Sequence, residues 1–169
     1  IIDHRILNKA HVVVVGVGGA ASKAKTLVAA GLGRVTLIDP DTVSATNPAT
    51  QSYGVLDIGL PKVDALSAAL KRINTDVGVT THACRFQDLP DEALAEALGA
   101  DLILAMTDDF TTQDHLNALA CRHDKLTVFA AAAPPNLAVE ITCTSMPHIR
   151  GGIGFCHRCA VHSRYRAHA

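Results

Sequence analysis

The chain has 169 residues, of which 49% are hydrophobic, 18% charged and 4% aromatic, and its formal net charge is −1. That apolar share supports one packed core and excludes a disordered chain, while no stretch approaches the ~18 uninterrupted apolar residues of a membrane-spanning helix. Charge is uneven, with 16 acids against 11 Lys and Arg in residues 1–147, and Arg150, Arg158, Arg164 and Arg166 with four His and no acid in 148–169. The near-neutral whole argues against a nucleic-acid binder. The basic end is either a dock for an acidic partner or a solvated tail. The N-terminus lacks the basic start and apolar run of a signal peptide, so a cytoplasmic location is expected.

His11–Val15 is a continuous β-branched run, the pattern of a strand buried on both faces. It breaks at Gly16-Val17-Gly18-Gly19. A helical pattern follows from Ala20 to Ala30, ended by Gly31 and Gly33. Arg34–Asp39 reads as a second strand, and residues 40–60 as a polar, turn-rich segment. Pro61 stands at a first helical position, and Val63, Leu66, Leu70 and Ile73 keep the helical period over Lys62–Ile73. Val77–Ala83 alternates as a third strand, Asp91–Leu98 reads as a short helix and Asp101–Met106 as a fourth strand. Phe110–His123 is helical again, and Leu126–Ala132 and Leu137–Cys143 are two further strands.

Strands alternating with helices predict an α/β fold, a Rossmann-like, doubly wound, mostly parallel sheet with helices on both faces. Two regions are expected: a nucleotide-binding domain over 1–147 and a basic Cys/His tail over 148–169. Ligands of such sheets sit beyond the strands' carboxyl ends. Those ends carry Gly16–Gly19, Asp39, Thr107-Asp108-Asp109 and Ala133-Pro134.

A glycine turn between a buried strand and a helix lets backbone N–H groups approach a phosphate, and the helix N-terminus adds partial positive charge. Asp39 ends the second strand 23 residues after Gly16, where an acid commonly accepts ribose hydroxyls. These features fit NAD as well as ATP. Lys62 is misplaced for the helix dipole, which favours anions at that end; it is either a phosphate contact or a solvated lysine. Thr107-Asp108-Asp109 offers one carboxylate as a helix N-cap, Asp109, and another for Mg²⁺, Asp108. Cys84, Cys121 and Cys143 stand singly in apolar or strand-like contexts and are expected to be buried thiols. Cys156-His157-Arg158-Cys159 has the spacing at which two thiolates grip one Zn²⁺ ion, with His162 or His168 available to complete a set and His157 expected at the surface.

Taken together, these residues resemble the ThiF/MoeB/HesA family, relatives of the adenylation domains of ubiquitin-activating enzymes. The landmarks are Gly16-Val-Gly-Gly19, Asp39-Pro-Asp-Thr-Val43, Ser44-Ala-Thr-Asn47-Pro-Ala-Thr50-Gln51, Gly59-Leu-Pro-Lys62, Thr107-Asp-Asp109 and Cys156-His-Arg-Cys159, in the family's order from about Ile6 to Cys159. The resemblance implies ATP-dependent adenylation of the C-terminal carboxylate of a ubiquitin-like or sulfur-carrier protein, by a homodimer. It implies that Gly18 and Gly19 cradle ATP, Asp39 holds the ribose, Asn47 and Lys62 contact phosphates, and Asp108 binds Mg²⁺. Gly16, Asp41, Gln51 and Asp109 complete the implied ATP-binding set, with Asp108, Lys62 and Asn47 as its catalytic members.

There are departures. The family's Arg in Asn-x-x-Arg-Gln is Thr50 here, which removes a bidentate phosphate donor. An upstream Arg-rich segment, a second Cys-x-x-Cys and a clear acceptor cysteine are not in this sequence, Cys143 being a candidate acceptor only by elimination. The chain is therefore expected to be the adenylation core of a longer protein. Alternative readings are a catalytically degraded, adenylation-like partner subunit and an NAD-dependent oxidoreductase.

Overall fold

The computed structural model describes residues 3–133, 138–145 and 156–161. Its helices in chain order are α1 (His4–Leu7), α2 (Ala21–Ala29), α3 (Asn47–Thr50), α4 (Lys62–Ile73), α5 (Asp91–Leu98), α6 (Phe110–Arg122) and α7 (His157–Ala160). The strands are β1 (His11–Val15), β2 (Arg34–Ile38), β3 (Gly78–His82), β4 (Leu102–Ala105), β5 (Thr127–Ala133) and β6 (Ala138–Thr144). They form one sheet in the order β3-β2-β1-β4-β5-β6. The first five strands run parallel and β6 runs antiparallel to β5. A connection of only a few residues between β5 and β6 cannot cross over to a parallel partner, so the chain turns back.

β1 lies at the centre, and all five of its side chains are buried. Val12 and Val14 pack with Ala21, Ala24 and Val28 of α2 and with Val63, Leu66 and Leu70 of α4. Val13 and Val15 face the other way, into a core with Ala97 of α5, Leu116 of α6, Phe86 and Phe129. Two-sided burial explains why β1 reads as an unbroken apolar run. The helix predicted over Lys62–Ile73 is observed over those residues, although Ile73, at its last position, is half exposed.

Some local structure differs from the sequence reading. The segment 40–60 contains the one-turn α3 and a 3-10 turn at Val55–Asp57. α1 precedes the first strand, capped by Asp3, whose Oδ1 accepts the Arg5 N–H at 2.9 Å. Single turns carry too little periodicity to register in a sequence pattern.

The three solitary cysteines are not buried: Cys84 and Cys121 are partly exposed and Cys143 is exposed. Thr142 and Thr144 of β6 turn toward α7, so strand alternation sends Cys143 to the opposite face. His157 is also corrected, because it is 2% exposed rather than at the surface. Its ring stacks on Phe129 at 4.1 Å between centroids and 10° between planes. Its backbone N–H donates to Thr144 Oγ1 at 2.9 Å, and that hydroxyl donates to Asn117 Oδ1 at 2.9 Å. The described part of the basic tail is thereby anchored on α6 and β6. Among the described residues, no helix is long and apolar enough to cross a membrane.

Candidate functional site

Strands β2 and β3 lie on one side of β1 and β4, β5 and β6 on the other, so the chain reverses direction between β1 and β4. Connections diverge at such a point and leave a crevice beyond the strands' carboxyl ends. A cavity of about 630 Å³ occupies it. Its walls include Gly16, Gly18 and Gly19 after β1, Asp39 and Asp41 after β2, Cys84, Arg85 and Phe86 after β3, and Thr107, Asp108 and Asp109 after β4.

The glycine turn has a steric basis. Gly16 has φ of +83°, and a Cβ there would lie 2.8 Å from the Met106 carbonyl oxygen, so only glycine fits between β1 and β4. A Cβ on Gly18 would meet Gln51 Nε2 at 3.0 Å. α2 then starts at the cavity with neither a side-chain cap nor an acid in its first turn, which leaves its positive end open.

Asp39 is 5% exposed. Its Oδ2 accepts the Val17 N–H at 2.7 Å and its Oδ1 the Asp41 N–H at 2.9 Å, which locks the carboxylate at the end of β2. Burial pushes its pKa up, against the opposing pull of those two hydrogen bonds. Lys62 is buried, and its Nζ lies 2.8 Å from Asp41 Oδ2. It is therefore not a solvated surface lysine: its ammonium is held by a carboxylate at the cavity wall. Gln51 also lines the cavity, and its Oε1 is buried with no hydrogen-bond partner among the described residues.

The two carboxylates after β4 divide their work. Asp109 caps α6, its Oδ1 accepting from the Thr111 N–H and its Oδ2 from the Thr112 N–H, both at 3.2 Å. The Thr112 hydroxyl also donates to Asp109 and holds its pKa below the usual carboxylate range. Asp108 is exposed on the cavity wall, and among the described residues no hydrogen bond or ion pair engages its carboxylate.

Asn47 and Thr50 lie elsewhere. Asn47 is buried, its Oδ1 accepts the Ser44 N–H at 2.8 Å, and it forms no part of the cavity wall. The Thr50 hydroxyl donates to the Thr46 carbonyl at 3.2 Å and also stays outside the wall. Tyr53, in the same segment, is 5% exposed and donates to the Val17 carbonyl at 2.8 Å. Burial raises the phenol's pKa. The sequence reading overlooked Lys23 and Arg85, both of which line the cavity. The dipole argument applied to Lys62 would have found Lys23, which also sits in a helix's first turn. Arg85 follows β3 in a stretch with no motif.

Cys156 and Cys159 stand 3.4 Å apart at the start of α7. Burial opposes the Cys156 thiolate, but hydrogen bonds from Cys159, Asn117 and Cys121 outweigh it and lower its pKa. Among the described residues, no group of three or more His, Cys, Asp or Glu is placed to hold a metal ion. The described donors therefore do not make the expected zinc site, and His162 and His168 lie outside the described residues.

The chain is similar to known proteins in sequence and in fold. A molybdopterin-synthase adenylyltransferase of Salmonella typhimurium is 37% identical over 130 residues, covering 75% of this chain and 51% of that protein. A sulfur carrier protein adenylyltransferase of Thermus thermophilus is 32% identical over 155 residues, covering 90% of this chain and 56% of that protein. The crystal structure of the E. coli tRNA N6-threonylcarbamoyladenosine dehydratase in complex with AMP superposes with a TM-score of 0.68 at 28% identity, covering 76% of this chain and 54% of that one. The chain thus spans about half the length of the curated relatives it matches. The ThiF family profile matches residues 3–167. A match over nearly the whole chain shows the family: this chain is a member of the ThiF family.

Proposed function

We propose that this chain binds ATP in the β1–β4 crevice and adenylates the C-terminal carboxylate of a ubiquitin-like or sulfur-carrier protein. One observation carries the reading: Asp39, Lys62 and Asp108 converge on a single cavity beneath the open N-terminus of α2. Asp39 would accept the ribose hydroxyls through the lone pairs its two backbone bonds leave free. Gln51 Oε1 supplies a further unused acceptor, as a nucleoside's hydroxyl or amino donors require. Gly18 and Gly19 allow close backbone approach to phosphate.

In the reaction, a carboxylate oxygen of the carrier attacks the α-phosphorus of ATP. The bond from that phosphorus to the bridging oxygen breaks, and pyrophosphate leaves with its electron pair, giving an acyl-adenylate. Little covalent work falls to the protein, so positioning and charge stabilisation dominate. Lys62 carries the stabilising charge at the cavity wall, and Asp41 fixes it there. Asp108, with its carboxylate unengaged, is the residue that would hold Mg²⁺, an ion that neutralises phosphate charge when bound. The names of the two adenylyltransferase relatives support the reaction class, and the family resemblance supports a homodimer.

The test is exchange of labelled pyrophosphate into ATP by the full-length protein, with a carrier protein ending in Gly-Gly. Exchange that requires the carrier's free C-terminus is expected, and no exchange with any such carrier would refute the reading. One observation favours a second reading, a degraded partner subunit: Thr50 stands where the family has Arg and is bonded to its own turn. Under that reading the wild type shows no exchange, and Thr50→Arg restores little.

A further inference from the structure

We infer that Lys23 is a second phosphate-positioning cation of this cavity, acting on the pyrophosphate part of the triphosphate rather than on the nucleoside monophosphate. The inference rests on the ATP reading above and deepens it. The charged side chains of the cavity wall that carry positive charge are Lys23, Lys62 and Arg85. Lys62 is committed to Asp41, and Arg85 follows β3 beside Asp109, whose pKa its charge helps to lower.

Lys23 is differently placed. It lies in the first turn of α2, where a cation meets the like-signed end of the helix dipole and no acid shares the turn. Its Nζ folds back toward the glycine turn, where it donates to the Gly19 carbonyl at a long 3.4 Å. Among the described residues it forms no salt bridge. A cation held at a helix N-terminus without a counter-charge is unfavourable in the free protein, and an anion bound in the cavity reverses that. Asp39 is tied to Val17 on the strand side of the turn, whereas Lys23 emerges on its helix side. A nucleotide with its ribose on Asp39 and its α-phosphate on the glycines therefore extends its outer phosphates toward Lys23. The departing pyrophosphate is the group whose charge this lysine meets.

The test compares ATP and AMP binding by calorimetry for wild type, Lys23→Ala and Lys23→Arg. Lys23→Ala is expected to weaken ATP about tenfold, the worth of one charge-assisted phosphate contact, and AMP less than about twofold. Lys23→Arg, which keeps the charge, is expected to retain most ATP affinity. Lys23 is exposed, so unchanged thermal unfolding of the variants verifies that they fold. Equal weakening of ATP and AMP, or no weakening of ATP, overturns the role of Lys23 while leaving the ATP reading intact. Failure of the wild type to bind either nucleotide overturns both.

Discussion

Lys62 Nζ sits 2.8 Å from Asp41 Oδ2, joining an ammonium with a 9% exposed side chain to a carboxylate with a 62% exposed one. The pair spans 21 residues of sequence and ties the start of α4 to the loop after β2, both at the cavity. The exposed carboxylate holds the ammonium at the cavity wall, near enough to meet a phosphate.

Removing that ammonium is expected to damage catalysis far more than folding. Lys62→Ala should lower kcat of pyrophosphate exchange by roughly 10²–10³-fold, the usual cost of deleting one group that stabilises developing charge. Asp41→Asn should cost about 1 kcal/mol of stability or less, because its side of the pair is screened by water. Exchange kinetics and urea unfolding of the two variants separate these effects.

The neighbouring aspartates should separate equally cleanly. Asp109→Ala removes the α6 cap and should destabilise the fold by about 1 kcal/mol. Asp108→Asn should leave unfolding unchanged and abolish the Mg²⁺ dependence of exchange, because its carboxylate has no structural partner among the described residues.

The Asp109 contribution has a definite pH sign. The Thr112 hydrogen bond lowers its pKa in the folded state, so the unfolded chain takes up the proton first as pH falls. Its stabilisation is full above the ordinary carboxylate range and disappears as pH drops through the folded value. The stability difference between wild type and Asp109→Ala should therefore be largest near neutrality and shrink in acid, as urea unfolding across the acid range would show.

His157 should act on the cysteines beside it. His157→Ala removes the ring stacked on Phe129 and loosens the anchor of α7, so Cys156 and Cys159 should react faster with a thiol reagent. Unchanged thiol kinetics would show that the Thr144 hydrogen bond suffices to hold the turn.

In the core, Leu66→Ala should cost about 2–5 kcal/mol, because Leu66 is fully buried between α4 and the sheet. Denaturant unfolding measures it directly.

Much of this molecule was legible in its sequence. The β-branched run at His11–Val15, the glycine turn and the helical period from Lys62 each have a local physical cause, and each was observed where predicted. The division of Asp109 as cap from Asp108 as free carboxylate was legible for the same reason, since capping depends on the next three residues. Asn47 illustrates the limit. Its place in a motif gave no sign that its side chain bonds its own turn instead of the cavity.

The sequence by itself determined the order of strands and helices, and with it the crevice, because backbone sterics and hydrophobic period act over a few residues. Only the tertiary structure decided that Lys62 pairs with Asp41, that His157 is buried on Phe129, and that Lys23 and Arg85 face the same cavity. Those outcomes depend on which distant segments the sheet brings side by side. A side chain's partner across such a distance is set by packing rather than by the local pattern around it.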